Sequence, residues 1–222
     1  MAYRRTERVK QRLKARHDAL IAAARALATE HGMDAVQIAP VAARAGIAAG
    51  TVYRYFPAKT DLVEALVADI SETELRAIRT AANAAPGPLS ALAAALVTFA
   101  ARAVRERRLI WALTGEPVDA QVNDVRLAFR KALSDEISLR LAAARDGGHL
   151  ADAEPALVAP AVTGALLEAL VGPLAAGREE MASGRADVQT LALFALRAIG
   201  IVDARARGLV VQAPWPAELN AT

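Results

Sequence analysis

The residues best suited to chemistry lie between Val36 and Lys59, in the run VQIAPVAARAGIAAGTVYRYFPAK, where a threonine, two tyrosines, an arginine and a lysine follow a glycine. Threonine and tyrosine hydroxyls donate to phosphate oxygens without reading sequence, and small residues at a helix start let a backbone approach base edges closely. Thr51, Tyr53, Tyr55 and Lys59 suit the first task, and Ala48, Ala49 and Gly50 the second. This is binding chemistry. There is no GxSxG, no P-loop and no GxGxxG after a strand, and His17, His31 and His149 are scattered without metal-ligand spacing. No catalytic residue, metal or cofactor is therefore expected, and the chain is not read as an enzyme.

Positioning these residues requires two short helices around a turn. Ile38, Val41, Ala42 and Ala45 recur at helical spacing, and Gly46 follows where a helix end calls for a positive φ. With Gln37 as N-cap, Pro40 falls in the first turn, where its missing N–H has no intrahelical partner to lose. After Ile47, Val52 and Phe56 lie four apart and point inward, leaving Thr51, Tyr53, Arg54 and Tyr55 outside. Pro57 halts this second helix, and Lys59 precedes the acidic helix start Thr60-Asp61-Leu62. The pattern predicts a helix-turn-helix over 37–56. A plain helical hairpin with half-buried tyrosines is the competing structural reading.

From about His17 to Val67 the chain resembles the N-terminal domain of the TetR/AcrR family of transcriptional regulators. The resemblance rests on the opening ALIAAARAL, Gly32, VAARAG, and the run Gly50-Thr51-Val52-Tyr53-Arg54-Tyr55-Phe56-Pro57-Ala58-Lys59. It implies phosphate contacts from Thr51, Tyr53 and Lys59, and base-edge contacts around Ala48, Ala49, Gly50 and Arg54. Two positions depart from the family: Gln37 and Ala48 stand where threonine or serine is usual, and they supply weaker side-chain donors. The resemblance implies an all-α chain, with a three-helix DNA-binding domain at 14–74, a larger helical effector-binding and dimerisation domain at 75–207, and an extended tail at 208–222.

Charge agrees. Residues 1–61 hold eleven Lys/Arg and five Asp/Glu, a formal +6, whereas the whole chain is only +3. Seven of those cations fall between Arg4 and Arg16, a basic arm ahead of the first apolar-periodic helix that attracts phosphates, or else a solvated, partly disordered terminus. The 55% apolar content is rich in alanine, and only 4% is aromatic, which favours helix and no sheet. Zero cysteines exclude disulfides and suit a reducing cytoplasm. Met1-Ala2-Tyr3-Arg4-Arg5 leads into charge, so no secretory segment is expected and the location is read as cytoplasmic. Thr80–Ala101 is split by Pro86-Gly87-Pro88, and Pro155–Gly177 by Pro160, Glu168 and Pro173, so both read as buried helices rather than membrane spans.

Beyond the first domain, helices are expected over Thr60–Ala82, from Leu89 to Arg108, over Leu109–Thr114 before Gly115 and Pro117, and from Val118 through Leu141 to Gly147-Gly148. Two more are expected over Glu154–Arg178 and Asp187–Arg207. The resemblance implies that these last two form a four-helix bundle with a second copy, although they could instead complete the monomer's core. It also implies a pocket for a small, largely apolar effector. Phe99, Trp111, Leu113 and Phe129 are candidate walls, and Arg102, Arg126 and Arg130 candidate polar contacts, with plain core and solvent as the alternatives. The expected function is a homodimeric repressor released from a palindromic double-stranded DNA operator by a small-molecule ligand. An activator of the same fold, or a helical adaptor without DNA activity, stays open.

Overall fold

Leu20, Ala24, Leu27 and Ala28 recur every three or four residues, so the helix that carries them turns one apolar stripe inward. In the computed structural model, which describes residues 2–116, 120–150, 154–172, 175 and 184–216, this is α1 (Ala2–His31). A 3₁₀ turn (Met33–Ala35) leads to α2 (Ile38–Arg44), α3 (Ala49–Val52) and α4 (Lys59–Asn83). Then follow α5 (Pro88–Arg105), α6 (Arg107–Thr114), α7 (Ala120–Asp146), α8 (Pro155–Leu170), α9 (Arg185–Ala198) and α10 (Asp203–Gln212). The chain is all-α: among the described residues there is no strand.

The chain divides into two compact units, Met1–Ile70 with Ala112–Arg126, and Ser71–Trp111 with Leu127–Thr222. The expected division at residue 74 did not foresee that Ala112–Arg126 joins the first unit. Its reason is polar: the Met33 N–H donates to the Glu116 carboxylate at 2.7 Å. Arg126, expected as a ligand contact, is instead buried in this unit and donates to the carbonyls of Ala112 and Glu116. Burial pushes its guanidinium below the ordinary value, and the nearby Glu116 charge offsets part of that. The core of this unit gathers Leu20, Val36, Val41, Val52, Leu62 and Leu66, all fully buried.

The basic stretch from Arg4 to Arg16 lies inside α1 rather than ahead of it. Arg8, Arg12 and Arg16 are exposed and share a face by their spacing of four. Lys10 pairs with Glu7 at 3.5 Å, and Lys14 with Asp18 at 3.2 Å.

In the second unit α5 is buried from Ala91 to Ala103 and packs against α8, α9 and α10. Among the described residues it is the one helix long and apolar enough to cross a membrane, and 78% of it is buried inside the protein. Its many alanines let neighbouring helices approach closely. Arg102 is buried with Glu74, donating from Nε and Nη2 at 2.7 Å each. Glu136, also buried, accepts from Arg79 Nε at 3.1 Å and Arg140 Nε at 2.8 Å.

Three helix ends differ from expectation. The helix expected over Asp187–Arg207 is two, α9 and α10, because Gly200 adopts φ 91° and closes α9 with Gly200 N–H on Arg197 and Ile201 N–H on Leu196. The tail expected from Gly208 is helical to Gln212 as the end of α10, with Val210 buried. α8 runs through Pro160 and stops at Leu170, short of Arg178. Expectations placed on Pro117, Val118, Pro173, Arg178 and the tail past Pro216 fall outside the described residues.

Candidate nucleic-acid interface

The turn between α2 and α3 is fixed by backbone alone. Gly46 sits at φ 65°, its N–H bonds Ala43 at 3.2 Å, and the Ile47 N–H reaches back to Ala42 at 2.9 Å, closing two of the orphan carbonyls of α2. Gln37 is the N-cap of α2, as its place before Pro40 suggests, but its side chain makes no cap bond and donates from Nε2 to the Asp34 carbonyl at 2.9 Å. Ala48 caps α3 with extended backbone and no side-chain acceptor. α3 is shorter than the expected reach to Phe56, and turn bonds continue it: Tyr55 N–H on Val52 at 2.8 Å, Phe56 N–H on Val52 at 2.9 Å.

The inward and outward sides separate cleanly. Val52 and Phe56 are buried, and Phe56 meets the His17 ring of α1 with centroids 5.3 Å apart. Ala48, Ala49, Gly50 and Arg54 are exposed, Tyr53 is 53% exposed, and Thr51, Tyr55 and Lys59 are half-buried. No side-chain hydrogen bond or ion pair occupies Thr51, Tyr53, Arg54, Tyr55 or Lys59 among the described residues. Their donors face outward uncommitted.

Two contacts that sequence reasoning missed brace this surface. Arg44 of α2 reaches both Glu30 oxygens of α1, one at 2.7 Å, which removes a cation from the free positive count and holds the Glu30 carboxyl below its ordinary range. Asp61 accepts the Ala58 N–H at 2.8 Å, half of a capping box that starts α4 at Lys59, one residue earlier than Thr60. The second was visible as an acid in the first turn, three residues after Ala58. The first joins residues fourteen apart and leaves no local trace.

The candidate ligand residues do not gather at one place. Phe99, Leu113 and Phe129 are buried core, Trp111 is half-buried, and Arg126 has the structural role given above. Within the second unit Arg102 lines a cavity with Thr98 and Trp215, and the exposed Arg130 lines a separate groove between α7 and α8. Arg102 and Arg130 stand on different helices, α5 and α7, and line different cavities.

Residues 20–66 match the family described as bacterial regulatory proteins, tetR family. Over 64 residues the chain is 44% identical to the HTH-type transcriptional repressor KstR of Rhodococcus jostii (strain RHA1). That match covers 28% of this chain and 30% of the relative, so less than a third of the repressor's length is shared. The fold extends further. The structure of SmeT in complex with triclosan superposes with a TM-score of 0.72 at 22% identity, covering 91% of this chain and 99% of SmeT. That of RolR in complex with resorcinol gives 0.66 at 23% identity, covering 93% and 98%.

Proposed function

We propose that this chain, whose residues 20–66 match the family described as bacterial regulatory proteins, tetR family, is a ligand-responsive transcriptional repressor acting on DNA in the cytoplasm. The carrying observation is the outer side of α3 and the start of α4, where Thr51, Tyr53, Arg54 and Lys59 hold uncommitted donors above a core fixed by Val52 and Phe56. In this reading Thr51, Tyr53, Tyr55 and Lys59 hold phosphates, with Gln37 a weaker contact because its amide already serves Asp34. Ala48, Ala49, Gly50 and Arg54 face the base edges, and occupancy of a promoter is enough to repress.

The chain acts as a homodimer through α8 and α9. Support comes from Leu157, 74% exposed, and Phe194, 55% exposed, with exposed Ala161 and Ala165 that allow close helix approach. Two recognition helices about one DNA turn apart then read a palindrome. Release follows when a small, largely apolar effector binds the DNA-incompetent state more tightly. SmeT and RolR, which share the fold, are seen with triclosan and resorcinol.

Footprinting of the purified protein across the DNA upstream of its own gene tests the reading. A protected palindrome at low salt is expected, and its absence overturns autoregulated repression. Tyr53→Phe and Lys59→Ala should weaken binding to all sequences alike, Lys59→Ala lowering the slope of log affinity against log salt by about one.

A further inference from the structure

A cavity of about 490 Å³ opens in the second unit between α4, α5 and the segment after α10, lined among others by Ala77, Ala81, Thr98, Arg102, Pro214 and Trp215. Its volume falls in the range of small-molecule sites, and its walls are mainly apolar. It shares only Arg102 with the residues that the sequence marks as candidate effector contacts.

One polar atom has no reason to be there unless something meets it. Thr98 is 3% exposed, and its hydroxyl makes no hydrogen bond. Three helical threonines elsewhere in the chain donate to the carbonyl four residues back: Thr29 to Arg25, Thr163 to Ala159 and Thr190 to Ala186. Thr98 does not, and it stands on the cavity wall. A buried hydroxyl without a partner destabilises the free protein, and a ligand that supplied the partner would recover that energy.

Charge selects the ligand further. Arg102 at the wall already donates twice to Glu74, and Arg76 at the rim pairs with Glu72 at 2.5 Å. An anion would meet these carboxylates as well as the cations, so a neutral molecule fits better. Trp215 offers a ring, and Arg185 holds that ring from 5.4 Å. We infer that the cleft bounded by Thr98, Arg102 and Trp215 binds a small neutral ring compound carrying one hydroxyl, which hydrogen-bonds Thr98 and packs against Trp215.

Because the chain has two tryptophans, Trp111→Phe leaves Trp215 as the sole indole reporter. Titrating this variant with 4-propylphenol, excited at the red edge of indole absorption, should give a saturable emission change with a Kd on the order of 10⁻⁴ M. Propylbenzene, which lacks the hydroxyl, and 4-propylbenzoate, which adds a charge, should bind more weakly. In the native background Trp215→Phe should abolish the change, which guards against poor folding of the Trp111 variant.

Thr98→Val then separates binding from structure. It should weaken 4-propylphenol about 3- to 10-fold while raising the Tm of the free protein by about 2–4 °C, because an orphaned hydroxyl has gone. Equal affinity for Thr98→Val, or no saturable change with 4-propylphenol up to its solubility, overturns the site. A fall in Tm on Thr98→Val overturns the orphan argument. No DNA is present in these measurements, so they succeed or fail independently of the repressor reading.

Discussion

Gly32 and Gly46 both carry positive φ, yet alanine at the two should behave differently, and the difference is calculable. Gly46 sits at φ 65° with nothing within 4 Å of a Cβ, so Gly46→Ala meets only the left-handed backbone penalty, about 1–2 kcal/mol. Gly32 adopts φ 85° and ψ 177°, a region held almost only by glycine, where strain alone is about 2–3 kcal/mol. Its Cβ would also lie 2.8 Å from Glu116 Oε1, and that carboxylate accepts the Met33 N–H at 2.7 Å. Moving it aside breaks the bond, adding about 1–3 kcal/mol, so Gly32→Ala should cost about 3–6 kcal/mol in all. Glu116→Ala alone loses the same bond. The two changes therefore share one loss, and the double variant should be more stable than the sum of singles predicts, by about 1–3 kcal/mol. Urea unfolding followed by far-ultraviolet circular dichroism measures all four corners of the cycle. Additive single effects would refute the claim that the Gly32 Cβ acts through Glu116, and a Gly46→Ala loss above about 3 kcal/mol would refute the open space assigned there.

Other outcomes follow from the ion pairs and the exposed faces. The Arg44 guanidinium lowers the Glu30 carboxyl, so this pair stabilises the fold above the ordinary Glu30 value of 4.5 and stops doing so as pH falls through the lower folded value. Arg44→Gln should therefore flatten the acid side of the stability curve, read as urea midpoint against pH. Replacing Arg102 by Met removes both donors that it gives to the buried Glu74 and should cost about 3–5 kcal/mol, and Glu74→Leu added to it should restore most of the loss in thermal denaturation. Leu157→Glu with Phe194→Glu should convert a dimer to a folded monomer in sedimentation velocity, and an unchanged sedimentation coefficient would exclude α8 and α9 as the contact.

The headpiece was legible because its signals are local. Gln37 before Pro40, Gly46 after four spaced apolar residues, and the Val52–Phe56 pair each act within one or two turns of helix, and each does in the structure what its spacing implies. Gly200 carried the same signal as Gly46, with Arg197 in the preceding turn, but apolar residues on both sides sustained the helical period through the break between α9 and α10. The rest depends on partners far away in sequence. Glu116 meets Met33 across 83 positions and Arg102 meets Glu74 across 28, so neither burial nor role could be read from neighbours. Arg102 and Arg126 are the clearest cases: cations on alternating helices look like wet faces until a carboxylate or a pair of carbonyls is brought to them.

The helical state of the basic segment in α1 bears on how fast and how costly an encounter with a polyanion is. Arg8, Arg12 and Arg16 sit about 6 Å apart along a rod, whereas a coil with the same residues would have to be ordered on contact at about 1–2 kcal/mol per residue. Preformed spacing removes that entropy loss from the binding step. Helix-breaking substitutions between Glu7 and Lys14 should then slow and weaken association at unchanged net charge, a signature that separates geometry from mere positive potential.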